Sequence, residues 1–166
     1  MRNTLFILVI TLLMAGCSQK QPANGVFSEV EYYADHHPDR ANLMLDSLER
    51  CHAINDTLLY QLVKAEALHG VGVPLSGETD LEHCIGYFKE QGDHDHQARA
   101  MLHQGMDLYS KGHYIEGLGL VKEVEREFSD LDDSGLRYLL YAVLGDINDN
   151  AADFRQTLHY YHQALE

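Results

Sequence analysis

Apolar residues along this chain recur at intervals of three and four, the spacing that gathers them on one side of an α-helix. Phe27, Val30, Tyr33 and Ala34 form the first group. Ala41, Met44, Leu45 and Leu48 form the second, with Pro38 at a favoured first-turn position ahead of them. Leu58, Leu59, Leu62, Ala65 and Ala67 follow, and Asp56 stands where an N-cap belongs. The Gly- and Pro-containing stretch from Gly70 to Gly77 ends that helix. Leu81, Cys84, Ile85 and Phe88 mark a fourth, and Ala98, Met101, Leu102 and Met106 a fifth. Leu118, Val121, Val124 and Phe128 mark a sixth, and Leu136, Leu139, Leu140, Val143 and Leu144 a seventh. Phe154, Leu158, Tyr161 and Leu165 mark the eighth. No run of alternating polarity is long enough to compete as a strand. The pattern predicts an all-α chain, with helices of about 11 to 18 residues paired antiparallel through short turns.

The pattern also repeats. Aligning Gly105–Gly117 with Gly145–Thr157 sets Gly105 on Gly145, Tyr114 on Phe154 and Gly117 on Thr157, an offset of 40 residues. A helical-hairpin repeat of about 34 residues, lengthened in the connection, gives that offset. Two helices that cross closely need short side chains where they touch. The chain resembles the tetratricopeptide repeat (TPR) family at these positions. Gly105 matches the small residue of the family's first helix, and Gly112-His113-Tyr114 matches its turn. Gly117 and Val124 occupy its two small-residue places in the second helix. Gly145, Asp153-Phe154, Thr157 and Ala164 are the counterparts one copy later. Residues 57–91 look like a looser copy with Cys84 at the early small place, and residues 27–51 like another with Ala41 there. Met101 and Tyr141 replace the large aromatic expected early in the first helix, and Ser129 replaces the usual closing proline.

This resemblance implies a short solenoid of stacked hairpins whose concave groove holds a protein or peptide segment. Repeat arrays usually close with a polar capping helix, and none is legible here. Tyr160, Tyr161 and Leu165 are therefore expected to stand partly uncovered. The chain then either continues past Glu166, as in the N-terminal sensory domain of a longer signalling protein, or offers this helix to a partner or a second copy.

The N-terminus is of another kind. Arg2, an apolar run through Ala15 and then Gly16-Cys17 have the layout of an export signal. The run is about half of the roughly 20 residues a spanning helix needs. Met14-Ala15-Gly16-Cys17 resembles the lipobox of bacterial lipoproteins, which implies cleavage after residue 16 and lipid on Cys17. Two or more acyl chains hold a protein firmly to a bilayer. Ser18 resembles the outer-membrane sorting pattern, facing the periplasm. Residues 17–26 are expected to form a flexible tether, leaving 27–166 as one repeat domain.

The formal charge of −14 becomes one unit more negative without Arg2. So acidic a chain repels nucleic acid, and no basic patch offsets the charge. Cys51 and Cys84 are expected to be two separate core cysteines, since free cysteine is among the most buried residue types, with a disulfide between them as the alternative that an exported chain allows.

Candidate chemistry is sparse. The stretch GDHDHQARAMLHQG holds His94, His96 and His103. Their spacing does not put them on one helical face, whereas a zinc site needs three or four converging ligands. They are expected in a solvated turn, with Gly92 capping one helix and Asp95 near the start of the next, from about His96. A histidine-based metal protein is the rival reading. His159 and His162 lack the accompanying glutamate of a zinc motif. The runs from Asp130 and Asp146 begin like calcium loops, but Tyr141 and Thr157 stand where the bidentate glutamate belongs. Tyr109, Tyr114, Tyr138 and Tyr141 are expected between helices, with some lining the concave groove. No phosphate loop or nucleophile signature occurs. The expectation is a non-catalytic scaffold without a cofactor, anchored to the envelope, binding a basic or amphipathic segment.

Overall fold

The computed structural model describes residues 23–75, 79–128, 130 and 132–166. The apolar start, Cys17 and Ser129 lie outside these residues, as does the tether up to residue 22. The described chain forms eight α-helices and no strand. They are α1 (Ala23–His36), α2 (Pro38–Arg50), α3 (Thr57–Gly70), α4 (Leu81–Gln91), α5 (His94–Ser110), α6 (Tyr114–Phe128), α7 (Ser134–Asn150) and α8 (Phe154–Ala164). The described structure starts inside the stretch expected to be a tether. Helix α1 begins at Ala23, and Val26 packs on the first core cluster.

One device starts most of these helices. Asp56, Asp80, Asp93, Asp133 and Asp153 each accept a backbone N–H from the first turn of the helix they precede. A carboxylate there satisfies an orphan donor and meets the positive end of the helix dipole. Helix α5 therefore begins at His94 under Asp93, earlier than its apolar pattern indicated, and Asp95 lies in its first turn. The helix ends are as uniform. After α2, α3, α4, α5 and α7 the chain turns through one left-handed residue, and the next N–H reaches back six residues inclusive. This is the Schellman closure. Gly72, Gly92 and Gly112 fill the left-handed place, but so do His52 and Ala152.

Each helix packs on its sequence neighbour, and the odd-numbered helices α1, α3, α5 and α7 also touch in succession. That pattern is what stacked hairpins produce. Three apolar clusters fill the stack. The first joins α1, α2 and α3 through Val30, Ala41, Leu45 and Val63. The second joins α3, α4 and α5 through Leu62, Ala65, Cys84 and Phe88. The third joins α5 to α8 through Leu102, Val121, Val124, Leu140 and Leu144. Helix α3 serves two clusters from opposite sides, which explains its burial around most of its circumference.

The hairpins α5–α6 and α7–α8 keep the 40-residue register throughout. His94, Ser110 and Tyr114 bound the first pair where Ser134, Asn150 and Phe154 bound the second. Gly105 and Gly117 face each other at the first crossing. A β-carbon on Gly117 would stand 2.6 Å from the Gly105 carbonyl oxygen, and one on Gly105 would stand 2.9 Å from that of Gly117. No side chain fits between two backbones that close. Gly145 instead lies under the Tyr161 ring, which fills the space a β-carbon would need.

The last helix corrects the sequence reading. Phe154 and Leu158, expected in the buried face, are 65% and 72% exposed, while Tyr161 and Leu165, expected partly uncovered, are 36% and 84% exposed. The face turned inward carries Thr157 and Tyr160, at 6% and 8%. Tyr160, expected uncovered, is thus buried: its ring lies by Tyr141, and its hydroxyl meets the Lys122 ammonium of α6. Helical spacing alone offers two stripes on α8, and the register of the hairpin chose the less apolar one.

Candidate functional site

Two features of the stack have the chemistry to matter. The larger is a groove of about 680 Å³ at the turn end of the last two hairpins. Met106, Tyr109 and Ser110 reach it from the end of α5, Tyr114 from the start of α6, and Val143, Asp146, Ile147 and Asn150 from the end of α7. Tyr109 and Tyr114 meet edge to face at 5.0 Å. Asp146 accepts a hydrogen bond from the Tyr161 hydroxyl at 2.5 Å, a contact that raises the tyrosine pKa to about 12. The groove is therefore an apolar and aromatic trough with one carboxylate on its wall.

The smaller feature is a charged seam between the odd helices. It encloses a cavity of about 240 Å³ lined in part by Glu31 and Asp35 of α1, Glu66 of α3, His96 and Arg99 of α5, and Asp133. Arg99 is its centre. Its guanidinium donates to Asp35 at 2.9 and 3.1 Å, to Asp133 at 2.6 and 3.1 Å and to Glu66 at 3.4 Å. Burial works against the arginine charge, but the three carboxylates outweigh it and hold the side chain firmly protonated. Glu66 is buried, and burial lifts its pKa to about 7 even beside Arg99. Asp133 keeps a lowered pKa: burial opposes its charge, but the Leu136 N–H and Arg99 win. One turn earlier, His96 donates to Glu31 at 2.7 Å and to Asp93 at 2.6 Å, and its ring stacks on Phe88. The bond to Glu31 leads the rise of its pKa to about 9. One turn later, buried His103 faces His69 of α3 at 2.8 Å between Nδ1 atoms. One nitrogen donates and the other accepts. Burial first, and then mutual repulsion, pushes the His103 pKa well below the ordinary value, and burial lowers that of His69.

These contacts overturn the solvated-turn reading of the histidine-rich stretch. Only His94 is exposed; His96 is half-buried in an ion pair and His103 is in the core. The sequence signal was present as a polar stripe at 96, 99 and 103 on α5. Its partners Glu31, Asp35, Glu66 and His69 lie 33 to 65 residues away and no local spacing announces them. Among the described residues, no three metal-ligating side chains converge.

The repeat-packing residues fall into two sets. Gly105, Gly117, Val124, Gly145 and Thr157 are buried at helix contacts, and Ala164 is half-buried. Tyr114 and Phe154, expected to pack, open their helices from exposed positions, because each follows directly on a turn. Tyr138 is exposed as well, while Tyr109 and Tyr141 are half-buried. His159 and His162 are on the surface. Cys84 is buried with its thiol donating to the Leu58 carbonyl, and burial raises its pKa to about 11. Cys51 corrects the expectation of two core cysteines: it caps the end of α2 and is exposed. Among the described residues, no helix is long and apolar enough to cross a membrane.

No protein-family model matches this chain, and neither a curated protein nor a solved structure matches it significantly.

Proposed function

We propose that the chain is a non-catalytic, membrane-anchored scaffold of TPR-like hairpins that holds a protein or peptide segment in the groove between its last two hairpins. The observation that carries this reading is the groove itself. It is open, about 680 Å³ in volume, and combines Met106, Tyr109, Tyr114, Val143 and Ile147 with one carboxylate, Asp146. Aromatic and methionine side chains around a charged anchor suit a short amphipathic segment. A net charge of −14 draws basic segments toward it and repels nucleic acid. The seam of Arg99 and His96 supports this division of labour. Its charges are spent on one another, so it ties hairpins together and leaves recognition to the groove.

Titration of a panel of basic amphipathic 15-residue peptides against acidic counterparts tests the groove. Asp146→Lys and Ile147→Asp are expected to weaken the basic peptides about tenfold each. Binding unchanged by both variants would sink the proposal.

The anchor rests on the lipobox resemblance at Met14–Cys17 and places the protein at the bacterial envelope, at the outer membrane facing the periplasm. The intact mass of the native protein, extracted from membranes, tests it. A chain beginning at Cys17 with acyl groups is expected, and a mass without lipid would remove the anchor.

A further inference from the structure

Gly145, Asp146 and Tyr161 form a unit that the last hairpin has and the one before it lacks. Forty residues earlier their places hold Gly105, Met106 and Val121. Both glycines are buried at a helix crossing. At Gly145 the missing β-carbon makes room for the Tyr161 ring, where at Gly105 it makes room for a second backbone. From that position the Tyr161 hydroxyl donates to Asp146 at 2.5 Å. Asp146 lines the groove and Tyr161 stands outside the lining. A surface aspartate otherwise samples several rotamers, and a hydrogen bond of this kind removes that freedom. Tyr161 thus holds the one carboxylate of the groove in place from outside.

The same bond limits what Asp146 can offer. Its Oδ1 is engaged by Tyr161, which leaves Oδ2 for a ligand. An arginine fork is matched by two carboxylate oxygens side by side, whereas an ammonium takes single acceptors grouped around a point. Two more oxygen acceptors line this groove, on Ser110 and Asn150. Ser110 donates its hydroxyl proton to the Asp107 carbonyl at 2.8 Å, so its oxygen serves a ligand as an acceptor. Asn150 lies one turn beyond Asp146 on α7 and brings a side-chain carbonyl. Among the described residues, no lysine, arginine or histidine lines the groove. The ammonium of Lys111, one residue past Ser110, is held by Asp107 at 2.7 Å. Asp149 adds a second negative charge near the Tyr161 hydroxyl. Met106, Val143 and Ile147 supply an apolar wall on which the methylene stem of a long cationic side chain packs. The geometry points to a lysine-selective subsite, in which Asp146, Ser110 and Asn150 receive the primary ammonium of a lysine on the bound segment and Tyr161 is the residue that positions Asp146. The subsite rests on the groove being the binding site, and it narrows the basic partner to one anchored by an ammonium instead of a guanidinium.

Fluorescence anisotropy of the full chain, in neutral detergent, with four labelled peptides of about 15 residues tests the subsite. The peptides share one amphipathic sequence with capped ends and differ at a single central residue: lysine, arginine, trimethyllysine or norleucine. The lysine peptide is expected to bind about fivefold more tightly than the arginine and trimethyllysine peptides, and about tenfold more tightly than the norleucine peptide. Tyr161→Phe keeps the ring over Gly145 and removes the hydroxyl. It is expected to bring the lysine-to-arginine ratio down to about one. A loss of affinity shared equally by all four peptides would instead give the hydroxyl a structural role and overturn the positioning of Asp146. Asp146→Asn, at an exposed position, is expected to bring the lysine peptide down to the norleucine level. Four equal affinities in the unaltered chain overturn the lysine subsite and leave the groove reading standing. An arginine peptide that binds as tightly as the lysine peptide overturns it also. So does a trimethyllysine peptide that does, because the Tyr109 and Tyr114 rings then receive the cation. Binding by none of the four removes the groove reading, and the subsite with it.

Discussion

Hairpins α5–α6 and α7–α8 share a 40-residue register and almost nothing else on their inner surfaces. At the positions where α5 carries His96, Arg99 and His103, α7 carries Leu136, Leu139 and Val143. The earlier hairpin joins its neighbours by charge: Arg99 reaches α1, α3 and the cap of α7, and His96 reaches α1. The later one contributes its aliphatic residues to the third cluster. Their crossings differ in the same sense. Gly105 and Gly117 bring two backbones together, whereas Gly145 is covered by a tyrosine ring that is itself a third exposed. One scaffold geometry tolerates both solutions because the register fixes only where helices start, stop and touch. The first hairpin is tied on both sides, and the second is tied on one side and presents a groove and an open stripe on the others.

The largest expected effect separates the two crossings. Gly117→Ala forces a β-carbon against a backbone oxygen and a backbone nitrogen, at 2.6 and 2.7 Å, and is expected to destabilise by about 3 kcal/mol or more. Gly145→Ala meets only the Tyr161 ring, which can swing outward, and is expected to cost about 1 kcal/mol. Urea unfolding of both variants measures the difference, and equal losses would mean the crossings are equivalent after all. Next comes Arg99→Leu, which gives α5 the residue that α7 already has. It leaves buried Glu66 without its cation and is expected to cost about 2–3 kcal/mol. Adding Glu66→Gln should recover part of that loss. If the double variant is no more stable than the single one, the charged seam is not what Arg99 supplies.

The pH dependence of stability sharpens the contrast, because Glu66, His69, His96 and His103, all with shifted pKa values, lie on α5 or on α3 packed against it. The folded pKa of His96 is raised to about 9, so its contribution is complete below about 6.5 and is lost as pH rises toward 9. Glu66, raised to about 7, contributes at low pH and loses that contribution between about 4.5 and 7. His69 and His103 are lowered. The unfolded chain binds protons that the fold resists, so their contribution is lost as pH falls below about 6.5. Urea midpoints at pH 6 and pH 9 are expected to differ, and His96→Gln should shrink that difference. On the acid side His103→Val, which gives α5 the residue that α7 carries at Val143, should reduce the loss below pH 6. An unchanged profile in both variants would contradict the assignment.

The smallest effect lies in the turns. Gly112 and Ala152 occupy equivalent left-handed positions, with φ of 90° and 58°. Alanine is strained there and glycine is not. Ala152→Gly is expected to stabilise by about 0.5 kcal/mol and Gly112→Ala to destabilise by about 1 kcal/mol. Thermal melts of the pair would show opposite shifts.

Much of this arrangement is legible in the sequence. The three-and-four spacing from Val30 to Leu144 gives seven of the eight buried faces, and Asp56 and Gly92 act as the caps their residue types suggest. These are local features, set by steric and hydrogen-bonding preferences within a few residues. The 40-residue offset is also readable, because helix starts, stops and crossings repeat with it. What the spacing could not decide was direction. Two stripes on α8 have helical spacing, and the more apolar one faces outward because Gly145 and the turn at Ala152 orient the helix. Nor could it pair residues across the stack. Arg99, Glu66 and Asp133 read singly as surface charges, and His103 reads as a solvated turn residue. Only the juxtaposition of α1, α3, α5 and α7 makes them a buried network, because the free energy of a buried charge depends on which neighbours share its cavity.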